Sequence, residues 1–148
     1  MFHQKFNLMI REMRPDDVCP LKEVYFQTRS QTFSWLSKND IGLDDFEQDI
    51  EGERIWVAEL EEKIIGFISV WEPENFIHHL FVLPEYAGRQ IGSKLMSVCM
   101  QNIGRPAKLK CVSENTKALQ FYRSRGWRTI SFGATDEGEY QLMQTNET

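Results

Sequence analysis

The chain has 148 residues, 41% apolar and 26% charged, with a net charge of −5 from 17 Lys and Arg against 22 Asp and Glu. That length suits about one domain with a sizeable core, and the composition excludes a disordered chain. The acidic balance argues against a broad electrostatic grip on nucleic acid and is compatible with cationic partners such as amines. Three cysteines, Cys19, Cys99 and Cys111, form no C-x-x-C pair and cannot all pair with one another. The first ten residues lack a continuous apolar run, and the longest apolar stretch, 64–71, is too short to span a membrane. These features predict a cytoplasmic protein with no signal peptide and no membrane partner.

In chain order, residues 7–14 alternate loosely as a first strand, and Pro15-Asp16-Asp17 is a helix entry signal. Leu21, Val24, Tyr25 and Thr28 recur at helical spacing. An acidic segment at 42–52, with Leu43, Phe46 and Ile50 on one side, predicts a short surface helix whose carboxylates face solvent. Residues 55–60 and 63–71 read as a hairpin joined by Glu61-Glu62, a tight turn without the usual Gly or Asn. Residues 76–83 form a further strand, ended by Pro84. Ile91, Leu95, Val98, Cys99 and Ile103 then share one helical face, closed by Gly104 and Pro106. Residues 107–112 are a strand. Ser113 or Asn115 caps a helix through Arg125, and Gly126 ends it. Residues 127–132 and 139–143 supply the last two strands.

A helical crossover between strands four and five implies a parallel pair inside an otherwise antiparallel sheet. The expected fold class is therefore α/β (α+β): a mixed, mostly antiparallel sheet of about seven strands with helices on both faces. No repeat, low-complexity tract or linker divides residues 1–148, so a single domain is expected. Cys99 and Cys111 fall on apolar faces and read as small core residues, not nucleophiles.

The stretch from Pro84 to Ser93 is a strand-to-helix turn with Gly88 and Gly92. Such a turn presents backbone N–H groups and the positive end of a helix dipole, a natural site for phosphate. It is neither a Walker loop nor a dinucleotide loop, because the glycine spacing fits neither. A plain Gly-eased turn is the alternative reading.

Leu80-Phe81-Val82-x-Pro84, this loop, and Asn115-x-x-Ala118-x-x-Phe121-Tyr122-x-x-x-Gly126-Trp127 together resemble the GNAT-type N-acetyltransferase superfamily. The motifs run from about Val57 to Trp127, and the element order extends the likeness over nearly the whole chain. The resemblance implies a GNAT-like acyltransferase fold in which the parallel strands splay apart around acetyl-CoA. It implies one N-acetyltransferase domain over 1–148, with direct attack by a primary amine, on a small molecule or a protein, in a ternary complex. The alternative is a module of this fold that binds acyl-CoA with little or no turnover. Expected partners are acetyl-CoA and an amine acceptor, with no nucleic acid and no membrane, and the protein is a monomer or a homodimer.

The resemblance also assigns roles. Backbone groups of Phe81, Val82 and Leu83 would pair with the pantetheine arm as a strand would. Amides of Gly88, Arg89, Gln90, Ile91, Gly92 and Ser93 would hold the pyrophosphate. Asn115 would contact the coenzyme while also serving as a helix cap, and Tyr122 would donate a proton or a hydrogen bond to the departing thiolate and touch the coenzyme. Two loop positions depart from the family pattern. Ala87 stands where the family has Arg or Gln, with Arg89 placed to compensate. Gln90 stands where the family has Gly, and is expected to offer its N–H from a right-handed conformation.

For the base that takes the amine proton, Glu74, His78 and His79 are open alternatives. Strand alternation puts His78 and His79 on opposite faces, so at most one serves. No carboxylate or Cys lies at ligand spacing from them, and no metal is expected. Phe33, Trp35 and Leu36 read equally as a substrate wall or as helix docking.

Overall fold

The computed structural model describes residues 7–32, 45–136 and 138–146. Its strands are β1 (Leu8–Glu12), β2 (Arg54–Leu60), β3 (Lys63–Trp71), β4 (Phe76–Val82), β5 (Lys108–Val112), β6 (Arg128–Thr135) and β7 (Gly138–Gln144). The helices are α1 (Val18–Thr32), α2 (Asp45–Asp49), α3 (Ile91–Asn102) and α4 (Thr116–Ser124). The strands form one mixed sheet in the order β1-β2-β3-β4-β5-β7-β6. The expected order of elements is the observed one. The chain divides into two compact units, Met1–Ser69 with His79–Asn102, and Val70–His78 with Ile103–Thr148.

In the first unit β1 pairs antiparallel with β2, from Leu8 against Leu60 to Glu12 against Trp56. Leu21, Val24, Tyr25 and Thr28 of α1 are all buried, as their spacing predicts. Ile91, Leu95, Met96 and Cys99 are the buried stripe of α3. Phe46 of α2 is fully buried and its ring meets that of Tyr25 at 5.3 Å. One acidic residue of α2 does more than face solvent, because the Tyr25 hydroxyl donates to Asp49 at 2.8 Å.

The hairpin between β2 and β3 turns through Glu61 and Glu62 at φ +49° and +71°. Two consecutive left-handed residues are what a two-residue hairpin turn demands, and here two Glu adopt them. Gly66 has a stricter requirement. A Cβ there would lie 2.7 Å from the carbonyl oxygen of Phe81, so β3 and β4 approach at this point only without a side chain.

In the second unit, Asn75 adopts φ +50° after the single 3-10 turn Glu72–Glu74 and opens β4. Its side chain accepts from the Gly104 amide at 3.1 Å, and its carbonyl accepts from the Lys108 amide at 3.0 Å. Those two bonds align β4 with β5. The pair is parallel, with Phe76 against Lys108 and Ile77 against Leu109. β7 pairs antiparallel with both β5 and β6. β6 and β7 run longer than their apolar patterns predict, because backbone pairing carries Gly133, Ala134 and Thr135 against Tyr140, Glu139 and Gly138. Ile77, Leu109, Cys111, Leu119, Trp127 and Met143 are buried here.

Candidate active site

The turn expected to bind phosphate begins at Leu83, which is buried and whose amide donates to the Ile65 carbonyl at 2.8 Å. A 3-10 turn over Pro84–Tyr86 follows, and then Gly88 at φ +80° and Gln90 at φ +62°. α3 starts immediately after, with the Lys94 amide donating to the Gln90 carbonyl at 3.1 Å. Two left-handed residues in one short turn leave backbone amides before α3 outside regular helix or strand pairing, the kind of geometry that suits an anion. The helix N-terminus adds its dipole there.

Gln90 does not take the right-handed conformation expected for it. The chain must reverse into α3 within one residue, and that geometry needs the left-handed region whatever side chain is present. The same requirement is a physical reason for glycine at this position. The Arg89 guanidinium stacks 5.4 Å from the Tyr86 ring, which holds a cation on the loop that Ala87 leaves without a donor. Ile91 turns its side chain into the core, so only its backbone is available to a ligand.

His78 and His79 lie on opposite faces, as alternation predicts. His79 is 9% exposed; its Nδ1 lies 2.8 Å from Ser69 Oγ, and its ring sits 5.5–6.0 Å from those of Tyr25, Phe67 and Phe81. His78 is exposed, with its ring 5.0 Å from that of Phe76. Glu74 is exposed on the turn before β4.

Asn115 caps α4, its Oδ1 accepting from the Ala118 amide at 3.2 Å. That bond uses the oxygen and leaves the amide Nδ2 as the donor end of the side chain. Seven residues on, the Tyr122 ring packs edge-on against Phe121 at 5.3 Å and Trp127 at 6.0 Å. Its carbonyl accepts from the amides of both Arg125 and Trp127, which ties the end of α4 to the Gly126 turn. Burial pushes the Tyr122 phenol pKa upward, and the nearby Cys111 adds to the rise. Burial also lifts the Cys111 thiol to about 11, against the pull of Arg123. Both groups are therefore neutral at physiological pH, and Cys111 is no nucleophile.

The first unit holds His79, Phe81, Val82, Leu83 and the turn from Gly88 to Ser93; the second holds Glu74, His78, Asn115 and Tyr122. Phe33, Trp35 and Leu36 lie outside the described residues. Sequence reasoning missed a cavity of about 420 Å³ in the first unit, lined by Asp17, Glu23, Glu59, Glu62, Glu85 and Lys63, among others. Its carboxylates come from segments far apart in sequence, so no local pattern announces them. Among the described residues no group of His, Cys, Asp and Glu is arranged to hold a metal, and no helix is long and apolar enough to cross a membrane.

A family model for the acetyltransferase (GNAT) domain matches residues 51–129. The chain belongs to the GNAT acetyltransferase family. It is 32% identical over 82 residues to the peptidyl-lysine N-acetyltransferase YiaC of Escherichia coli, and the match spans 55% of each chain. A GCN5-related N-acetyltransferase structure from Rhodopseudomonas palustris superimposes with a TM-score of 0.80 at 17% identity, covering 97% of this chain and 99% of that one. The structure of yncA, a putative acetyltransferase from Salmonella typhimurium with its cofactor acetyl-CoA, gives 0.75 at 16% identity, covering 95% and 94%. Both likenesses are of fold. Within the GNAT frame, the parallel β4/β5 pair, the turn before α3 and the capped α4 are the elements the sequence motifs announced.

Proposed function

We propose that residues 1–148 act as one N-acetyltransferase domain that transfers the acetyl group of acetyl-CoA to a primary amine. The reading is supported above all by Tyr122, a neutral phenol held by ring and backbone contacts at the family's motif position. The turn at Gly88–Ser93 suits the coenzyme's pyrophosphate, with Arg89 supplying charge. The Nδ2 of Asn115 suits a second polar contact, and the backbone of Phe81 and Val82 suits the pantetheine amides; the expected share of Leu83 falls away, because its amide donates to the Ile65 carbonyl and its carbonyl accepts from the Tyr86 amide.

In this reading the neutral amine attacks the thioester carbonyl directly, the carbon–sulfur bond breaks, the proton the nitrogen sheds as the amide forms passes to the departing thiolate, and the amide product and free thiol leave. The amine must first lose a proton, since its ordinary pKa is near 10.4. His79 or His78 suits that task, directly or through water, because an imidazole nitrogen with a free lone pair can accept a proton. Glu74, exposed on its turn, is the third alternative. Tyr122 steadies the departing sulfur. Full proton transfer from an ordinary phenol to an ordinary thiolate is uphill by about 2 kcal/mol, and burial of Tyr122 raises that cost. Hydrogen-bond donation to the developing negative charge is therefore its role.

Protein lysine is one acceptor to test, because YiaC is a peptidyl-lysine N-acetyltransferase, beside small amines and polyamines. The test is release of free coenzyme A from acetyl-CoA across an amine panel that includes a lysine peptide. Acceptor-dependent release, with a product heavier by one acetyl group, supports the reading. Acetyl-CoA binding without release on any amine, and no change on Tyr122→Phe, favours a binding module, to which Ala87 and the strained Gln90 lend weight.

A further inference from the structure

On the buried face of α1, Thr28 follows Leu21, Val24 and Tyr25 and is 5% exposed. A threonine inside a helix ordinarily returns its hydroxyl to the carbonyl four residues earlier, here that of Val24. Thr28 does not. Its Oγ1 is closed off from solvent and has no hydrogen-bond partner among the described residues. Neighbouring buried hydroxyls are engaged: that of Tyr25 donates to Asp49 at 2.8 Å, and Ser69 Oγ lies 2.8 Å from His79 Nδ1. A buried hydroxyl left unpaired costs the fold stability, and an apolar group of the same shape would remove that cost. Such a group calls for a partner from outside the fold, a water or a ligand.

The course of α1 over the sheet places this hydroxyl. Val24 lines the same cavity as Leu83, just past the end of β4. The Tyr25 ring lies 6.0 Å from that of Phe81 and 5.6 Å from that of His79, both within β4. α1 therefore advances along β4 from its end toward its start, and Thr28 stands about 4.5 Å further on than Tyr25, at the level of His79. Thr28, Tyr25, Ser69 and His79 all belong to the first unit. An unpaired hydroxyl thus sits level with an imidazole suited to take the amine's proton. A hydroxyl oxygen can hold an amino group by one of its N–H bonds, which leaves the nitrogen lone pair for attack.

We propose that Thr28 is a binding residue for the amine acceptor, its Oγ1 accepting a hydrogen bond from the acceptor's amino group at the level of His79. The proposal rests on the acetyltransfer reading above and adds to it the group that holds the acceptor.

Thr28→Val removes the hydroxyl and keeps the β-branched shape. It should raise KM for the amine by about tenfold or more, with kcat within about threefold and the Kd for acetyl-CoA within about twofold of wild type. Its melting temperature should be unchanged or higher. Thr28→Ser retains the hydroxyl and should keep KM within about threefold of wild type. A hydroxyl that only holds a water predicts an unchanged KM in Thr28→Val, and one that supports the fold predicts a lower melting temperature. Either result overturns the proposal, as does a Thr28→Ser variant no better than Thr28→Val. If the wild-type protein releases no coenzyme A with the lysine peptide, small amines or polyamines, the acetyltransfer reading fails, and calorimetry with those same amines decides the site separately. Binding about tenfold weaker to Thr28→Val than to wild type upholds the site; equal binding, or none to wild type, overturns it.

Discussion

Ser69 Oγ lies 2.8 Å from His79 Nδ1, with both side chains buried. The contact commits one ring nitrogen, so the protonation of the other depends on which partner donates. When Nδ1–H donates to Ser69, Nε2 carries the lone pair and can accept a proton. His78 is exposed, with its ring beside that of Phe76.

With His79 as the base, His79→Gln should lower kcat by about a hundredfold, and His78→Gln should change it by less than about threefold. Steady-state kinetics on both variants decides the matter. The opposite ranking would assign the base to His78, and a small effect of both would turn attention to Glu74.

Tyr122→Phe should lower kcat by about tenfold or more while leaving the Kd for acetyl-CoA within about twofold, because the lost bond matters chiefly as the sulfur departs. The raised phenol pKa adds a pH signature. The folded protein holds this proton above the ordinary Tyr value, so no activity should be lost to Tyr122 ionisation below about pH 10. An alkaline limb near pH 8 that vanishes in Tyr122→Phe would contradict this.

Gln90→Gly should stabilise the protein. A left-handed conformation costs a non-glycine residue about 1–2 kcal/mol, and the extra freedom of Gly in the unfolded chain offsets part of the gain. The net effect is a rise of about 1 kcal/mol, or roughly 2–4 °C in Tm. Acetyl-CoA should bind at least as tightly, as calorimetry can show; weaker binding would mean the Gln side chain itself contacts the coenzyme. Gly88→Ala, at φ +80°, should do the reverse and destabilise.

Asp17 accepts from Arg11 at 2.8 and 3.0 Å and from the Arg14 amide at 2.7 Å, while Arg11 also reaches Glu59 at 3.1 Å. The hydrogen bonds from Arg11 hold the Asp17 carboxyl below its ordinary value of 3.8. A carboxylate with a lowered folded pKa contributes stability above its unfolded pKa and loses it as pH falls through the folded value. Asp17→Asn should therefore cost about 2–4 kcal/mol at pH 7 and much less at pH 2–3. Urea melts at the two pH values measure the difference, and an equal cost at both would remove the ionic contribution.

Local features were legible because local geometry makes them. The α1 stripe follows from 3.6-residue spacing, and the Asn115 cap and the Gly126 stop follow from helix-end chemistry. Even the Glu61-Glu62 turn was legible from its length, against its residue types. The handedness of Gln90 was not, since a Gln gives no sign that its neighbours force φ positive. Nor was the Tyr25–Asp49 bond, which joins residues 24 positions apart.

By itself the sequence determined the order of elements, the strand-to-helix turn before α3, and a split of His78 and His79 between two faces, all consequences of spacing and short-range backbone chemistry. Only the tertiary structure decided which histidine is buried and that Ser69 orients it. It alone decided, too, that Gln90 bears backbone strain and that Phe132 stands bare on an edge strand. Those facts depend on which segments pack together, and burial and long-range hydrogen bonding are properties of the assembled sheet that no local window of residues contains.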